Sequence, residues 1–145
     1  MSLDFRVPIP FVNLLGITLE KFDGGESELL FTPGPEHCNS FAVVHGGAVM
    51  TFLDVTMATA ARSVQPDSGI ITIEMKTTFM RPAPVAPGMA LTGRGHLLHR
   101  TRSMAFVEGA VFDAQGHLCA KAGGTFKYVP RPNLPGNKPG PLPTD

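Results

Sequence analysis

A single carboxylate, Asp54, lies inside an apolar run that the sequence predicts to be helical. It is the only charged residue between His45 and Arg62. A carboxylate on a helix that buries most of its faces is disfavoured unless it is paired or hydrogen-bonded. Burial would raise its pKa, which suits a base working near neutral pH. The alternative is structural: Asp54 lies on a solvent-exposed strip of the helix, or pairs with Arg62 or another basic residue.

Two glycines, Gly46 and Gly47, follow His45 at the start of the same helix. A glycine in a helix interior lowers helix stability by about 1 kcal/mol relative to alanine. A pair of glycines at the start of the helix therefore suggests that the backbone itself has a role there. Unbonded N–H groups at a helix N-terminus favour negative charge, which suits an oxyanion hole or an anion site. A flexible entry turn is the structural alternative.

The spacing between His45 and Asp54 bears on how a site could be built. Nine residues at about 100° each amount to half a turn beyond two full turns, so the two side chains face opposite sides of a regular helix. One chain could hardly bring both to one substrate by direct contact. Two copies of the helix, antiparallel across a twofold axis, could do so, which predicts a site shared by two chains.

Asn39 lies in the proline-bounded loop 32–44 that precedes the helix. Its amide can donate and accept, so it could hold a carbonyl or a water, although a turn residue is the ordinary interpretation. The other histidines show no metal-ligand spacing; His96 and His99 are expected on opposite sides of a strand, so no metal site is predicted. The remaining histidines are His37 and His117.

The residues around this helix predict elements that would position it. Apolar periodicity indicates a helix over 46–63, a short helical segment over 9–17 ends at Gly16, and Asp-Gly-Gly at 23–25 is typical of a hairpin. The helix positions that carry the apolar periodicity are Val49, Phe52, Leu53, Met57 and Ala60.

After the helix, the hydrophobic period changes from about 3.6 to 2, which predicts strands. The segment 69–82 alternates and is followed by strands at 89–100, 102–113 and 117–129. In the first, one face is expected to hold Ile71, Ile73, Met75, Thr77 and Phe79, and the other Thr72, Glu74, Lys76 and Thr78. Gly123 and Gly124 indicate a bulge or a close backbone approach. Short connections favour antiparallel pairing, with three strands after the helix in a meander, and the class is α+β.

The chain has 145 residues, a length that is typical of one domain. Twelve basic and twelve acidic residues balance, which argues against nucleic-acid binding or polybasic membrane association. No apolar stretch is long enough for a bilayer, and the first residues show no secretory signal. Reduced cysteines at Cys38 and Cys119 are expected, in a cytoplasmic protein with a domain over 1–129 and a Pro-rich, flexible tail over 130–145.

The combined pattern N-x5-HGG-x6-D (Asn39, His45-Gly46-Gly47, Asp54), followed by TIEMKTTFMRP at 72–82, resembles the hotdog-fold acyl-CoA thioesterases. The similarity is to the phenylacetate-degradation (PaaI-type) branch and covers residues 9–129. It implies an antiparallel sheet wrapped around one long central helix, and hydrolysis of an aryl- or medium-chain acyl-CoA. It also implies a homodimer or homotetramer, with no cofactor beyond the coenzyme A of the substrate.

The resemblance also implies roles for individual residues. The Gly46 N–H would polarise the thioester carbonyl with help from Asn39, and Asp54 of the neighbouring subunit would activate a water or attack directly. His45 would orient groups near the carbonyl or the departing thiol. Thr72 corresponds to a hydroxyl residue that helps to hold the water in some members.

Other implied features are less specific. A related branch carries a threonine one turn after the acid, where this chain has Ala58, so Thr72 would have to supply the hydroxyl. Coenzyme A phosphates call for basic residues at a rim; the candidates are Arg81, Arg100, Arg102 and Lys127. Gly47 is expected at the substrate, and the acyl pocket or simply the core would draw on Met50, Phe52, Met57, Phe79 or Met80.

Two other functions compete with thioester hydrolysis. A hydratase or dehydratase on the same fold also pairs an acid with a histidine, but in the opposite sequence order. A non-catalytic acyl-CoA binder is the other possibility, since a fold alone never proves an activity.

Overall fold

The computed structural model describes residues 2–131, which form a helix-and-sheet domain. The elements are α1 (Pro10–Leu15), β1 (Thr18–Asp23), β2 (Glu26–Phe31), α2 (Gly46–Arg62), β3 (Gly69–Phe79), β4 (Leu91–Arg100), β5 (Met104–Phe112) and β6 (Leu118–Val129). The predicted long helix, the short first helix and the strands are thereby confirmed. The predicted tail over 130–145 falls outside the described residues from residue 132 onward, so its flexibility stays a prediction.

The six strands form one sheet in the order β1-β2-β4-β5-β6-β3, and every neighbouring pair is antiparallel. The α+β class with an antiparallel sheet is therefore confirmed. Only β4, β5 and β6 follow one another as a meander. This agrees with the predicted meander of three strands; β3 lies outside the meander, on the far side of β6, and forms an edge of the sheet.

The core lies between α2 and one face of the sheet. Phe52, Leu53 and Met57 have no exposed surface, and burying each contributes roughly 1.5–3 kcal/mol. Phe52 and Met57 are thus core residues and not acyl-pocket residues. The sheet approaches α2 closely at Gly109, where a Cβ would lie 2.8 Å from the Met57 Cγ. A bulge or a close approach was predicted at Gly123 and Gly124. The close approach is observed at Gly124, where a Cβ would lie 3.2 Å from the Met57 Cε of α2, whereas at Gly123 the nearest atom is the Val107 carbonyl oxygen at 4.0 Å.

A bulge in β3 overturns the predicted division of its faces. Thr72 pairs with Phe126 and Glu74 with Thr125, so Ile73 is an extra residue on this strand. The extra residue switches the alternation: Thr72 faces α2 before it, and Phe79 faces α2 after it. Ile73 is instead 52% exposed. The prediction that Thr72 shares an outer face with Glu74 was therefore wrong.

A similar irregularity in β4 changes the relation of two histidines. His96 pairs with Glu108 and His99 with Phe106, two partners that share one face of β5. His96 and His99 therefore lie on the same side of β4, against the expectation of opposite sides. His99 stacks on the Phe106 ring at 6.2 Å, and the His96 Nδ1 lies 3.5 Å from a Glu26 carboxylate oxygen.

Candidate active site

The first backbone N–H groups of α2 are satisfied with one exception. The His45 N–H donates to the His37 carbonyl at 2.7 Å, and the Ala48 N–H donates to the His45 carbonyl at 2.9 Å. The Gly47 N–H donates to the His45 Nδ1 at 2.8 Å, which makes His45 the N-cap. Within residues 2–131 the Gly46 N–H has no acceptor. Gly46 is therefore the N–H at this helix end that remains available to a ligand.

The loop before α2 is held by the side chain of Asn39. Its Oδ1 accepts from the Phe41 N–H at 2.9 Å and from the Val43 N–H at 3.3 Å. These bonds accommodate Ala42 in a left-handed conformation, with φ of 60°. The oxygen of the amide is thus used within the loop, and the nitrogen is the part of Asn39 that can donate to a ligand.

Gly46 and Asn39 line the same cavity of about 490 Å³. Its walls are mostly apolar, with Arg81 as their charged residue and Cys119 among the neutral ones. Phe79 and Met80, predicted for the acyl pocket, both line it, and the Phe79 ring lies 3.5 Å from where a Gly46 Cβ would be. The helix end therefore faces a space large enough for a small acyl or thiol group.

Phe41 is a further wall residue that the sequence reasoning missed. Its side chain lines the same cavity and is 83% exposed. A large exposed aromatic next to a strained loop position suggests a contact surface more than a core. The available signal in the sequence was an aromatic residue inside a proline-bounded loop, where a buried role was not expected.

Asp54 lies half-buried on the middle of α2. The Thr72 hydroxyl of β3 donates to its Oδ1 at 2.6 Å. Burial raises the pKa of the Asp54 carboxyl, and the Thr72 hydrogen bond opposes this effect. The arrangement gives a desolvated carboxylate with one oriented hydroxyl, which suits a general base or a nucleophile.

The structural alternative of an Asp54–Arg62 ion pair is not observed. A guanidinium nitrogen of Arg62 donates instead to the Phe5 carbonyl, and the guanidinium lies 5.1 Å from the centre of the Phe22 ring. Within residues 2–131 no salt bridge includes Asp54. Its charge is therefore not explained by a structural pair in this part of the chain.

Replacing Thr72 by valine should move the pH dependence of catalysis. The hydroxyl hydrogen bond lowers the Asp54 pKa, so its loss should shift the acidic limb of the pH–rate profile to higher pH. We expect kcat/KM at neutral pH to fall about tenfold, the cost of one hydrogen bond to a charged group. Thr78→Val is the matched control, because Thr78 is an exposed threonine of the same strand. An unchanged profile in Thr72→Val would contradict this role.

Asp54 and Gly46 do not share a cavity within one chain. Asp54 and Thr72 line a separate hollow of about 270 Å³ together with Ala58, the residue one turn after the acid. No residue lines both this hollow and the cavity at Gly46. Gly46 precedes Asp54 by eight residues, which separates them by about 12 Å along the helix axis. A single thioester could not contact both groups in one chain.

The other predicted site residues are more dispersed. His45 and Gly47 line a third hollow on another side of the helix end, and the Gly47 N–H is used by the cap. Met50 is 36% exposed and does not line the cavity at Gly46. Arg100 bonds Gln65 beyond the C-terminal end of α2, and Arg102 is exposed in the turn after β4. Only Arg81 among the three predicted arginines lies beside Gly46 in the same chain.

Residues 2–131 hold no cluster of three or more His, Cys, Asp or Glu side chains suited to a metal ion. None of the helices in the described part of the chain has the length and apolar character needed to cross a membrane. Cys38 and Cys119 are both free thiols, as expected.

Comparison with known families supplies the classification. The thioesterase superfamily model matches residues 41–120, which include α2, β3, β4 and β5. The chain belongs to the thioesterase superfamily. The part matched by this superfamily model carries Gly46, Asp54 and Thr72, and Asn39 lies just outside it.

Individual proteins agree with membership of the thioesterase superfamily. A Saccharolobus solfataricus protein named "Putative esterase" is 31% identical over 83% of this chain and 81% of its own length. A solved Ralstonia eutropha structure of a phenylacetic acid degradation-related protein is 26% identical, with a TM-score of 0.76 over 85% of this chain and 95% of that one. The E. coli PaaI protein matches with a TM-score of 0.75 at 21% identity, over 82% of this chain and 83% of that one. The predicted hotdog fold and PaaI-type resemblance are thereby confirmed.

Proposed function

We propose that this superfamily member hydrolyses an acyl-CoA thioester to a free acid and coenzyme A. The observation that carries the proposal is the unbonded N–H of Gly46, a residue at a helix N-terminus that lines a cavity together with Asn39. A backbone N–H in this position stabilises the oxyanion that forms when a thioester carbonyl is attacked. The helix dipole adds to that stabilisation.

Asp54 supplies the other half of the reaction. Acting as a base, its carboxylate takes a proton from a water whose oxygen attacks the carbonyl carbon. The carbon–sulfur bond then breaks, and the thiolate leaves and takes up a proton. Acting as a nucleophile, Asp54 attacks the carbonyl itself, and water hydrolyses the resulting anhydride. Neither route requires a cofactor or a metal.

The proposed site is completed by a second copy of the chain. Asp54 and Gly46 line separate cavities in one chain, and within residues 2–131 β3 pairs only with β6, so its outer edge is free to pair. Two chains related by a twofold axis along β3 would lay their α2 helices antiparallel. The Gly46 of one chain would then meet the Asp54 of its partner. A homodimer, or a tetramer of two such dimers, follows from this proposal.

The substrate and its location are the finer parts of the proposal. Similarity to proteins of phenylacetic acid degradation supports an aryl acyl group, and both the cavity at Gly46 and the hollow at Asp54 have apolar walls that suit an aryl or medium-chain group. We assign Arg81, a basic residue that lines the cavity at Gly46, to a coenzyme A phosphate. We place the reaction in the cytoplasm.

Release of free thiol from a panel of aryl- and fatty-acyl-CoAs tests the activity. Phenylacetyl-CoA and octanoyl-CoA serve as representatives of the two acyl classes. The proposal expects thiol release from at least one class, proportional to enzyme concentration. Tight binding across the panel without any thiol release would instead favour a non-catalytic acyl-CoA binder.

Mixing two inactive variants tests whether the site is shared. Asp54→Asn keeps an intact Gly46, and Gly46→Pro, which lacks the N–H, keeps an intact Asp54. After joint unfolding and refolding, we expect about a quarter of the wild-type activity, since half of the dimers are mixed and each has one intact site. The two variants refolded separately and then combined just before the assay are the control. A jointly refolded mixture as inactive as that control would show that each chain carries a complete site.

A further inference from the structure

The hollow that contains Asp54 has a cluster of arginines beside it that form no salt bridge within residues 2–131. Arg62 and Arg131 line it together with Asp54, and Arg62 is only 4% exposed. Arg6 lies close by, since both Arg6 and Arg62 approach the Phe22 ring, at 5.3 and 5.1 Å. Two guanidinium groups thus line the cavity, and a third, that of Arg6, lies near Arg62 outside its lining.

These guanidinium groups have no anionic partner in the described structure. The salt bridges within residues 2–131 include none of the three arginines. The Nε atoms of Arg62 and Arg131 are both buried and have no hydrogen-bond partner. Burial, Arg131 and Arg6 all lower the pKa of Arg62. Arg62 is buried, whereas Arg6 is exposed and Arg131 is half-buried. A buried cation beside two other cations is costly unless an anion compensates it, so the cluster is suited to a bound anion.

The residues between Asp54 and Arg62 form a continuous strip along α2. Val55, Ala58 and Thr59 lie between them and line the same hollow. Arg62 follows Asp54 by eight residues, which places it about 12 Å further along the helix axis. The opposite walls are apolar; they are formed by Val7, Pro8, Ile9, Val12 and Ile70. The hollow therefore has a carboxylate at one end, apolar walls, and positive charge at the other end.

We propose that this hollow holds the acyl group of the substrate and that Arg62 and Arg131 bind a carboxylate at its far end. The substrate class is then an ω-carboxyacyl-CoA, the thioester of a dicarboxylic acid. The inference rests on the proposed function, because Asp54 fixes where the thioester lies. The apolar walls suit a hydrocarbon chain, and an Arg guanidinium binds a carboxylate through paired hydrogen bonds.

The phosphates of coenzyme A are the other source of an anion, and the experiment must separate the two. Suberyl-CoA and octanoyl-CoA have chains of equal length and the same thiol carrier, but only suberyl-CoA ends in a carboxylate. The corresponding pantetheine thioesters lack the phosphates. We expect wild-type kcat/KM to be at least about tenfold higher for the suberyl than for the octanoyl thioester, with either carrier.

Arg62→Met and Arg131→Met should each reduce this suberyl-to-octanoyl ratio toward one. A ratio measured on one protein preparation is insensitive to the fraction that folds, and Arg131→Met spares the contact between Arg62 and Phe5. Arg94→Met is the matched control, because Arg94 of β4 does not line this hollow. Its Nε lies 3.2 Å from a carboxylate oxygen of Glu28.

Each of the other results has a definite meaning. Equal hydrolysis of both thioesters would overturn the inference and leave the proposed function intact. If the arginine variants lower kcat/KM equally for both CoA thioesters, but for neither pantetheine thioester, the cluster binds a phosphate of coenzyme A and the inference is overturned. If neither thioester is hydrolysed, calorimetric titration of both into Asp54→Asn decides: tighter suberyl binding supports the anion site, and equal Kd values overturn it. The proposed function fails only if the aryl- and fatty-acyl-CoAs of the panel are not hydrolysed either.

Discussion

Asp54→Asn is expected to lower kcat for thioester hydrolysis by about 10²- to 10⁴-fold while the protein remains folded. The amide keeps the shape of the carboxylate and its contact with the Thr72 hydroxyl, which is 2.6 Å away in the wild type. It cannot accept a proton from water or form an anhydride. Both proposed routes through Asp54 are therefore lost together, whereas the Gly46 N–H is untouched. Single-turnover thiol release at saturating substrate measures the effect.

The same substitution should leave the protein at least as stable as the wild type at neutral pH. Burial raises the pKa of the folded Asp54 carboxyl, so the folded state holds this proton more tightly than the unfolded state. The resulting stabilisation is present below the unfolded pKa and is lost as the pH rises through the folded pKa. At neutral pH the ionised, partly desolvated carboxylate destabilises the folded state, and asparagine removes this destabilisation.

Thermal unfolding across the pH range checks this second expectation. The Tm of Asp54→Asn should equal or exceed that of the wild type at neutral pH, and this advantage should disappear in acid. A variant that hydrolyses thioesters as fast as the wild type would remove Asp54 from the reaction. A Tm that falls at neutral pH would show instead that the carboxylate has a structural partner.

Gly46→Pro is expected to lower kcat by about 10²- to 10³-fold, the usual loss of one oxyanion-hole donor. Proline removes the N–H and is well tolerated at the first position of a helix. The preceding residue, His45, has φ of −59° and ψ of 138°, an extended conformation that is compatible with a following proline. The substitution therefore removes the donor with little disturbance of α2.

Gly46→Ala is the matched control for this prediction. Alanine keeps the N–H, and its Cβ would meet the Phe79 ring at 3.5 Å, an ordinary contact. The alanine variant should retain most of the wild-type kcat, and the proline variant should not. Equal rates for the two variants would show that another group stabilises the oxyanion. Thermal unfolding of both confirms that the comparison is made on folded protein.

The local elements could be predicted from the sequence because local forces determine them. Apolar periodicity identified the helix that the structure places at Gly46–Arg62, and Asp23-Gly24-Gly25 identified the β1–β2 hairpin. The two glycines of that turn adopt positive φ values of 59° and 86°. Such conformations are readily adopted by glycine, so the residue type alone indicates the turn.

The surroundings of the candidate site could not be predicted in the same way, because they depend on contacts between distant segments. Arg62 was a possible partner for Asp54 on one helix, yet it bonds Phe5, which is 57 residues away in the chain. The cap made by the His45 ring uses the Gly47 N–H and so distinguishes two adjacent glycines that look equivalent in the sequence. The position of Phe41 on the cavity wall depends on the fold of its loop in the same way.

The extra residue in β3 makes the length of that strand part of the proposed catalytic machinery. Thr72 contacts Asp54 and Phe79 lies beside Gly46, although the two are seven positions apart. Residues an odd number apart in an uninterrupted strand face opposite sides. Deleting even the solvent-exposed Ile73 would turn one of them away from α2. Between these two positions, side chains can be exchanged more freely than residues can be inserted or deleted, and a tolerated length change should come in steps of two.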